Sequence, residues 1–344
     1  MSTRKFGVEI EYISKISHRH MVEKLCNLNL VIDNYATGYA RCPNECYSGW
    51  QVKSDGSITV QNEYEYGIEL VSPPLTLGDF GQLKSALSVA DDNGAVNSSC
   101  GLHVHIHTPE LYKSKDEKII TEWSKIEQTI FSYMPLSRRT NVHCKAGINH
   151  SDRYRSLNIA PLRSSRQTIE FRAHSATLNY LKVAAWVMLC MKFVERMVSN
   201  RPLEFVEPQL SLNVPTKMIL PKTGEAFYLH RPKPGWVIET NQNNKEFLDL
   251  RQAWKEMKSS LKLPGVDFLS DFRLPIYGNA MTQLCAELDI KGIYRSYIED
   301  RYDRITRKFG FYSSEQNITT LFGEDDEDFY NEPDYVTGGV EAGL

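Results

Sequence analysis

Three short segments of the chain carry, at every second position, side chains that can bind metal ions or phosphate. They are residues 7–12, 101–107 and 168–174. Successive side chains of a β-strand point to opposite faces, so each segment, if it is a strand, has a polar face and an apolar face. The polar faces would carry Glu9 and Glu11, then His103, His105 and His107, and finally Glu170, Arg172 and His174.

A sheet built from these strands would be apolar on one side and lined with charged groups on the other. The intervening residues, such as Val8, Val104 and Ile169, are apolar and can pack against helices. A polar face of this kind is costly to bury unless cations and phosphates pair with it. The alternation therefore indicates an active-site sheet.

Taken singly, these motifs are weak. Glu9 and Glu11 would lie about 7 Å apart along a strand, close enough to address two neighbouring cations, but exposed strands also carry such pairs. Glu69, between two apolar residues, would by itself fit an exposed edge strand. Imidazole binds zinc readily and magnesium reluctantly. The histidine strand alone therefore leaves a zinc-dependent hydrolase open.

Composition and length bound the class of protein. The 344 residues, 41% hydrophobic and 24% charged, suit one large soluble domain or a domain with an extension. The longest apolar run, 183–191, is too short to span a bilayer, and no signal peptide is evident. Seven cysteines in a long chain favour reduced thiols and a cytoplasmic location. Zinc at Cys42 and Cys46 is disfavoured because a second ligand pair is missing.

The net charge of −3 is distributed unevenly. Residues 324–344 contain eight acidic residues and no Lys or Arg, which leaves the other 323 residues at +5. Eight basic residues lie between Arg138 and Arg172, opposed by Asp152 and Glu170. A basic segment beside carboxylates suits a polyphosphate held with divalent cations, and we expect no nucleic-acid partner. For Arg163 and Arg166 a solvated surface is the simpler interpretation.

Hydrophobic periodicity and turn signals predict alternating strands and helices. Strands are expected at 5–13, 50–53, 57–61, 66–72, 102–108, 155–160 and 168–174, with Asp55-Gly56 as a hairpin turn between the second and third. Helices are expected at 17–28, 79–92, 114–134, 177–199, 244–260 and 280–308, and a loop at 33–49. The hairpin signals favour an α+β fold with a mostly antiparallel sheet over a doubly wound one.

Six prolines between residues 201 and 235 suggest a domain boundary. We predict a catalytic core at 1–200, a proline-rich connection with a mostly helical extension at 201–323, and a tail at 324–344. The acidic composition of this tail is typical of disorder.

Five motifs in the same order and spacing resemble the amidoligase family. They are Phe6-Gly7-Val8-Glu9-Ile10-Glu11, Asp55-Gly56-Ser57-Ile58, Glu69-Leu70-Val71-Ser72-Pro73-Pro74-Leu75, Cys100-Gly101-Leu102-His103-Val104-His105-Ile106 and Thr168-Ile169-Glu170-Phe171-Arg172. The resemblance covers about residues 5–200. The family is similar to glutamine synthetase and glutamate–cysteine ligase in its catalytic domain.

The resemblance implies a curved, mostly antiparallel sheet of the glutamine synthetase type with helices on its outer face. It also implies ATP bound through Mg²⁺ or Mn²⁺. Glu9 and Glu69 would belong to one metal site, and Glu11, His103 and Glu170 to the site that bridges the phosphates. By the same resemblance, His105 and Arg172 would contact phosphate oxygens. Arg155 would be a further phosphate clamp, and Asp55 would position the amine or a metal-bound water.

The chemistry implied is ATP-dependent ligation of a carboxylate to an amine through an acyl phosphate. The carboxylate and amine partners stay open among amino acids, peptides and protein side chains, as does the oligomeric state. Two alternatives remain at this stage: the zinc-dependent hydrolase, and a non-catalytic binding module on a ligase-like fold.

Overall fold

The computed structural model describes residues 3–30, 32–36, 49–112, 116–139, 141–147, 152–204, 218–219, 226–227 and 278–309. Within these ranges the chain forms one main sheet covered by helices, and a small two-stranded sheet of β9 (Met218–Ile219) and β10 (Ala226–Phe227). This is the mixed helix and strand composition that the turn signals predict. No helix of the described ranges combines the length and apolar character required to cross a bilayer.

Eight strands of the described residues make up the main sheet, in the order β2-β3-β4-β1-β6-β8-β7, with β5 beside the end of β1. Every pair is antiparallel except β2 with β3. The strands are β1 (Phe6–Ser14), β2 (Ile32–Ala36), β3 (Trp50–Ser54), β4 (Tyr66–Val71), β5 (Gly94–Ala95), β6 (Leu102–His107), β7 (Leu157–Asn158) and β8 (Thr168–Phe171).

One face of the sheet forms the hydrophobic core, as the alternation predicts. Along β1, Val8 and Ile10 are fully buried, and so are Val104 on β6 and Ile169 on β8. Since side chains alternate along each strand, burial of these residues leaves Glu9, Glu11, His103 and His105 on the opposite face. The polar face is therefore a consequence of how the apolar face packs.

Helices cover the apolar face. They are α1 (His18–Asn27), α2 (Phe80–Asp91), α3 (Asp116–Ser124), α4 (Glu127–Ser132), α5 (Leu136–Arg139) and α6 (Tyr180–Val198). The longest, α6, begins at an N-cap, where the side chain of Asn179 accepts a hydrogen bond from the Lys182 amide. Most of α6 is buried, and its Phe193 packs edge-on against Trp123 and Phe171.

Two C-terminal helices, α7 (Gly278–Glu287) and α8 (Gly292–Phe309), pack onto the same core. Arg196 of α6 pairs with Glu287 at 2.8 Å, and the Arg301 guanidinium lies 5.1 Å from the ring centre of Tyr133. Met281 and Ile298 are fully buried. The division of the chain at residue 200 stays a prediction, but these helices share the hydrophobic core of the sheet.

Four predictions about single elements are wrong. Residues 57–61 form no strand, because β3 pairs with β4 and the segment between them is a long connection. The expected helix at 114–134 is two helices, broken after Ser124. The expected helix at 280–308 is likewise two helices, α7 and α8, broken after Glu287. Part of the predicted 33–49 loop belongs to β2, which pairs in parallel with β3. Hydrophobic period cannot reveal such breaks and pairings, since they are decided by neighbours distant in sequence.

Other predictions concern residues outside the described ranges. They are the helix at 244–260, the acidic tail at 324–344, most of the proline-rich connection, and the Cys42 and Cys46 pair.

The Phe193 contacts allow a test of the core. We expect Phe193→Ala to lower the free energy of unfolding by about 3–5 kcal/mol, because it removes a buried ring between Trp123 and Phe171. Val142→Ala, at a side chain that is 62% exposed, should change it by less than about 0.5 kcal/mol. Urea unfolding followed by circular dichroism measures both variants, and equal effects would contradict the packing described.

Candidate active site

The antiparallel register places the polar side chains opposite one another across neighbouring strands. Glu9 of β1 lies opposite His103 of β6, and Glu11 lies opposite Glu69 of β4. His105 of β6 lies opposite Glu170 of β8. Directly opposite residues on one face of a sheet have side chains in contact. The three segments, together with Glu69, therefore converge on one patch of the sheet.

The convergence produces three overlapping groups of potential metal ligands within the described residues. In each, three ligand atoms lie within 4.8 Å of one another. The groups are Glu9 with Glu69 and His103, Glu9 with His105 and Glu170, and Glu11 with Asp55 and Glu69. Glu9 and Glu69 each belong to two groups, so the patch could hold cations side by side.

His103 lies at the centre of the patch. Its Nδ1 is 3.3 Å from a Glu9 oxygen and 3.9 Å from a Glu170 oxygen, and its Nε2 is 3.9 Å from Glu11. Glu11 is held from behind, because its Oε2 accepts a hydrogen bond of 2.6 Å from the Gly101 amide. The imidazole thus separates carboxylates that would otherwise repel one another directly.

Asp55 joins the site through its turn and not through a strand. Its Oδ1 accepts hydrogen bonds of 2.7 Å from both the amide and the hydroxyl of Ser57. This Asx turn follows the end of β3 and places the carboxylate beside Glu11 and Glu69. The Asp55-Gly56 signal therefore marks a ligand-bearing turn instead of a hairpin.

Glu170 and Arg172 form a buried ion pair at the β8 side of the patch. Arg172 Nη1 lies 2.5 Å from Glu170 Oε1, and Asn158 donates to the other Glu170 oxygen at 2.6 Å. Arg172 also donates from Nε to the His143 carbonyl, and its guanidinium lies 6.0 Å from the ring centre of Tyr154. These contacts hold the guanidinium at the edge of the ligand groups.

The pKa values show how the protein balances this charge by itself. Burial and the charge of Glu9 raise the pKa of Glu69 to about 8. Burial alone would raise the pKa of Glu9, but His105 and His103 outweigh it and hold that pKa well below the usual value. For His105, burial lowers the pKa, but Glu9 and Glu170 raise it by more, so that the net pKa is above the usual value.

The raised pKa values of Glu69 and His105 favour their protonated forms, which offset part of the negative charge that bound cations could otherwise neutralise. Carboxylate oxygens are the preferred ligands of Mg²⁺ and Mn²⁺, and every ligand group here contains at least two carboxylates. The donor set, with its two imidazoles and its repeated carboxylates, therefore fits Mg²⁺ or Mn²⁺ more closely than a histidine-only zinc site.

A cavity of about 270 Å³ opens next to the Glu9 and His105 group. Gly7, on the same face of β1, forms part of its floor, and Ser72 and Pro74 form part of its wall. The Ser72 hydroxyl accepts a hydrogen bond of 2.9 Å from the Val8 amide and is thereby fixed. The remaining lining residues are Lys5, Phe6, Val8, Val71, His107, Arg166 and Thr168.

The structure corrects the expectation for His174. Strand β8 ends at Phe171, so the alternation does not extend to residue 174. The His174 ring is fully buried among Tyr133 and Trp186 in the core, and burial together with Arg301 keeps its pKa well below the usual value. His174 therefore does not share the face of Glu170.

Two other residues that the sequence offered as site residues, Arg155 and His107, lie outside the three ligand groups. Arg155 pairs with Asp152 at 3.0 Å and donates to the Ala146 carbonyl, so its guanidinium is engaged within its own loop. His107 lines the cavity but belongs to none of the three ligand groups. One ligand group joins Glu9 with Glu69, as the family resemblance implies, whereas the other two join Glu11 with Asp55 and Glu69, and Glu170 with Glu9 and His105. His103 lies 3.9 Å from both Glu11 and Glu170, the residues with which the resemblance groups it.

Sequence reasoning assigned no role to two buried residues that support the patch. Asn158, on β7 directly opposite Glu170, hydrogen-bonds its carboxylate. Arg138 donates from Nη2 to the Arg172 carbonyl at 2.6 Å. Both lie in the basic segment, but they are distant in sequence from the residues that they contact. No local pattern in the sequence therefore predicts these contacts.

Comparisons with known proteins identify a family. A family model described as "Putative amidoligase enzyme" matches residues 2–147 and 112–194. No curated protein sequence matches the chain. A solved complex of the prokaryotic ubiquitin-like protein Pup and its ligase PafA aligns with 13% identity and a TM-score of 0.33, values too low to carry an argument. That alignment covers 89% of this chain and 66% of the other, so the chain spans just under two thirds of its length.

The raised pKa of Glu69 makes stability depend on pH. Between its ordinary pKa of 4.5 and about 8, the folded state holds a proton that the unfolded state has lost. Stability contributed by this group therefore falls as pH rises through that range. With a chelator present, the melting temperature of Glu69→Gln relative to wild type should increase from pH 5 to pH 9.

The control for that measurement is Glu23→Gln on the exposed side of α1, which reports the effect of removing a surface carboxylate. If the difference in melting temperature between Glu69→Gln and wild type does not change with pH, or changes as it does for the control, the raised pKa of Glu69 would be contradicted.

Proposed function

The chain belongs to the amidoligase family, and from that premise we propose that it joins a carboxylate to an amine with ATP as the energy source. The observation that carries the proposal is the set of three overlapping ligand groups beside a cavity and a paired arginine. We further propose that the antiparallel sheet is of the glutamine synthetase type and that the reaction takes place in the cytoplasm.

The ligand groups suggest an assignment of residues to cations. Glu11, Asp55 and Glu69 would hold one ion, and Glu9, His105 and Glu170 another, with His103 contributing beside Glu9 and Glu69. When bound, Mg²⁺ or Mn²⁺ would neutralise the phosphate charge that builds up during phosphoryl transfer. Without ions, the raised pKa values of Glu69 and His105 favour their protonated forms, which lowers the repulsion among the carboxylates.

We assign the cavity beside Glu9 and His105 to the nucleotide. Its volume of about 270 Å³ is close to the lower end of small-molecule sites. Val71 and Pro74 provide apolar wall for a base, and Lys5 and Arg166 provide positive charge. Because Glu9 belongs both to the cavity lining and to two ligand groups, a triphosphate entering here would reach the acids.

The proposed reaction has two steps, formation of an acyl phosphate and its attack by the amine. An oxygen of the substrate carboxylate attacks the γ-phosphorus of ATP, and the bond to ADP breaks. The amine nitrogen then attacks the acyl carbon, inorganic phosphate leaves, and the amine loses a proton. The first step is needed because a carboxylate is a poor electrophile, whereas an acyl phosphate has a good leaving group.

The protein contributes position and fixed charge to these steps. Arg172, already oriented by Glu170, can offer guanidinium hydrogens to the transferred phosphoryl group. Asp55 is held by Ser57 next to Glu11 and Glu69, where it can orient the amine or a water. The proposal keeps Arg155 as a second clamp, which would require it to leave Asp152.

Metal content separates this proposal from a zinc hydrolase that uses His103, His105 and His107. Protein purified without chelator should contain little zinc and should bind Mn²⁺ weakly enough for dialysis to remove it. Stoichiometric zinc with hydrolysis that needs no ATP would favour the hydrolase. Metal and ATP dependence would likewise distinguish a ligase from a non-catalytic binding module.

Hydroxylamine trapping tests the reaction class directly. Purified protein is incubated with ATP, Mn²⁺ or Mg²⁺, and a panel of amino acids and acidic peptides, with hydroxylamine as the amine. Because hydroxylamine captures acyl phosphates as hydroxamates, a true carboxylate substrate should yield hydroxamate and ADP in equal amounts. ADP release without hydroxamate for every carboxylate tested would contradict ligation through an acyl phosphate.

The shared face of Glu11 and Glu170 leads to a mutational prediction. Glu11→Gln and Glu170→Gln should each reduce ATP turnover to background, because the amide preserves shape but removes the charge needed to hold a cation. Melting temperatures should stay within a few degrees of wild type. The exposed Glu23→Gln is the matched control, and full turnover in both site variants would contradict the assignment.

Gly7 provides a steric test of the nucleotide cavity. A Cβ added at Gly7 would meet its nearest neighbour, the Ser72 hydroxyl, at 3.8 Å, which is ordinary contact. Gly7→Ala should therefore be tolerated, whereas Gly7→Leu should fill the cavity and raise the KM for ATP by about tenfold or more. Steady-state kinetics of both variants measure this difference, and equal KM values would place the nucleotide elsewhere.

A further inference from the structure

A second arginine, Arg138, lies buried beneath the ligand patch. It belongs to the short helix α5 and is only 3% exposed. A buried guanidinium is costly unless its hydrogens find partners. Its contacts therefore indicate what the protein gains from placing it there.

Arg138 binds the backbone at the point where β8 leaves the sheet. Its Nη2 donates to the Arg172 carbonyl at 2.6 Å, and its Nε donates to the Ala173 carbonyl at 3.4 Å. The Arg172 amide donates in turn to the Ser156 carbonyl at 2.8 Å. The backbone of Arg172 is thus held from both sides, although its residue lies beyond the last position of β8.

The third guanidinium nitrogen of Arg138, Nη1, lies near the ligand groups. A Cβ built on Gly101 would lie 3.1 Å from His103 Nε2, 3.3 Å from Glu11 Oε2 and 3.4 Å from Arg138 Nη1. These three atoms therefore lie around one point, and a Cβ at Gly101 would make tight contacts with them. The Arg138 guanidinium therefore lies close to both Glu11 and His103.

We propose that Arg138 is a positioning residue that sets Arg172 and Glu11 for the reaction. It orients the Arg172 guanidinium by binding the backbone carbonyls of Arg172 and Ala173, and it places a fixed positive charge close to Glu11. An arginine is required because a planar guanidinium reaches two carbonyls and the Gly101 region at once, which a lysine ammonium cannot do. The functional part of this inference rests on the proposed ligase activity, whereas the orienting contacts do not.

The neighbouring Arg139 provides a matched control. It lies on the same helix and is 6% exposed, but it donates to the carbonyls of Met134 and Ser132, at the end of α4. Arg138→Met and Arg139→Met each remove one buried guanidinium. Only the first should loosen the backbone around Arg172.

Hydrogen exchange tests the orienting contacts without any ligand. In Arg138→Met, the Arg172 amide should exchange about tenfold faster or more, while the same amide in Arg139→Met should exchange as in wild type. Arg138→Lys, a milder change that protects against loss of folding, should show the same effect at a melting temperature near that of wild type. Unchanged exchange in both Arg138 variants, or equal acceleration in Arg139→Met, would overturn the inference.

A double-mutant cycle with Arg172→Met separates positioning from general destabilisation. If each single variant lowers ATP turnover about 100-fold, the double variant should also lose about 100-fold, since Arg138 acts through Arg172. A product of the two losses, about 10⁴-fold, would overturn the functional part. Binding of a non-hydrolysable ATP analogue, measured by calorimetry, should be non-additive in the same way.

These experiments test the proposed ligase function and the role of Arg138 separately. A wild-type protein that neither binds nor turns over ATP would refute the proposed function, and hydrogen exchange would still decide whether Arg138 orients Arg172. Normal wild-type turnover with additive losses would refute only the role of Arg138.

Discussion

The crowding of carboxylates on one face of the sheet is the constraint on which the rest of the structure depends. Five acids, Glu9, Glu11, Asp55, Glu69 and Glu170, supply the ligand groups, and like charges at such distances repel strongly where water is scarce. The protein offsets this repulsion with imidazoles, one guanidinium and a proton on Glu69. Under the proposed function, divalent cations would take over part of this balance, which links the electrostatics of the site to its proposed chemistry.

Antiparallel pairing turns four separate sequence segments into one patch. Glu9 meets His103 and Glu11 meets Glu69 because β1 lies between β6 and β4, and His105 meets Glu170 because β8 lies beside β6. A shift of one residue in any pair would turn the acids toward the helices and the apolar residues toward the site. The full burial of Val8 and Val104 penalises such a shift, so the hydrophobic core maintains the geometry of the polar face.

Behind the patch, a chain of buried hydrogen bonds ties the basic segment to the core. Trp123 donates to the Ser156 hydroxyl, which donates to Glu127, and the other oxygen of Glu127 accepts from the Gly147 amide. Gly147 has φ +76°, a conformation that other residues rarely adopt. This chain positions Ser156, whose carbonyl receives the Arg172 amide, and so connects α3 and α4 to the reactive edge of the sheet.

Local sequence was sufficient to identify the strands that carry the acids and histidines, the face on which most of them lie, and the helices α1, α2 and α6. Periodicity and the order of motifs are properties of the sequence itself, and so they can be read before the structure is known. Tertiary structure alone decided that the turn at Asp55 lies beside Glu11 and Glu69, that His174 enters the core, and that Arg138 binds the backbone carbonyl of Arg172. Those outcomes depend on where strands end and on contacts between residues far apart in the chain, which no local pattern encodes.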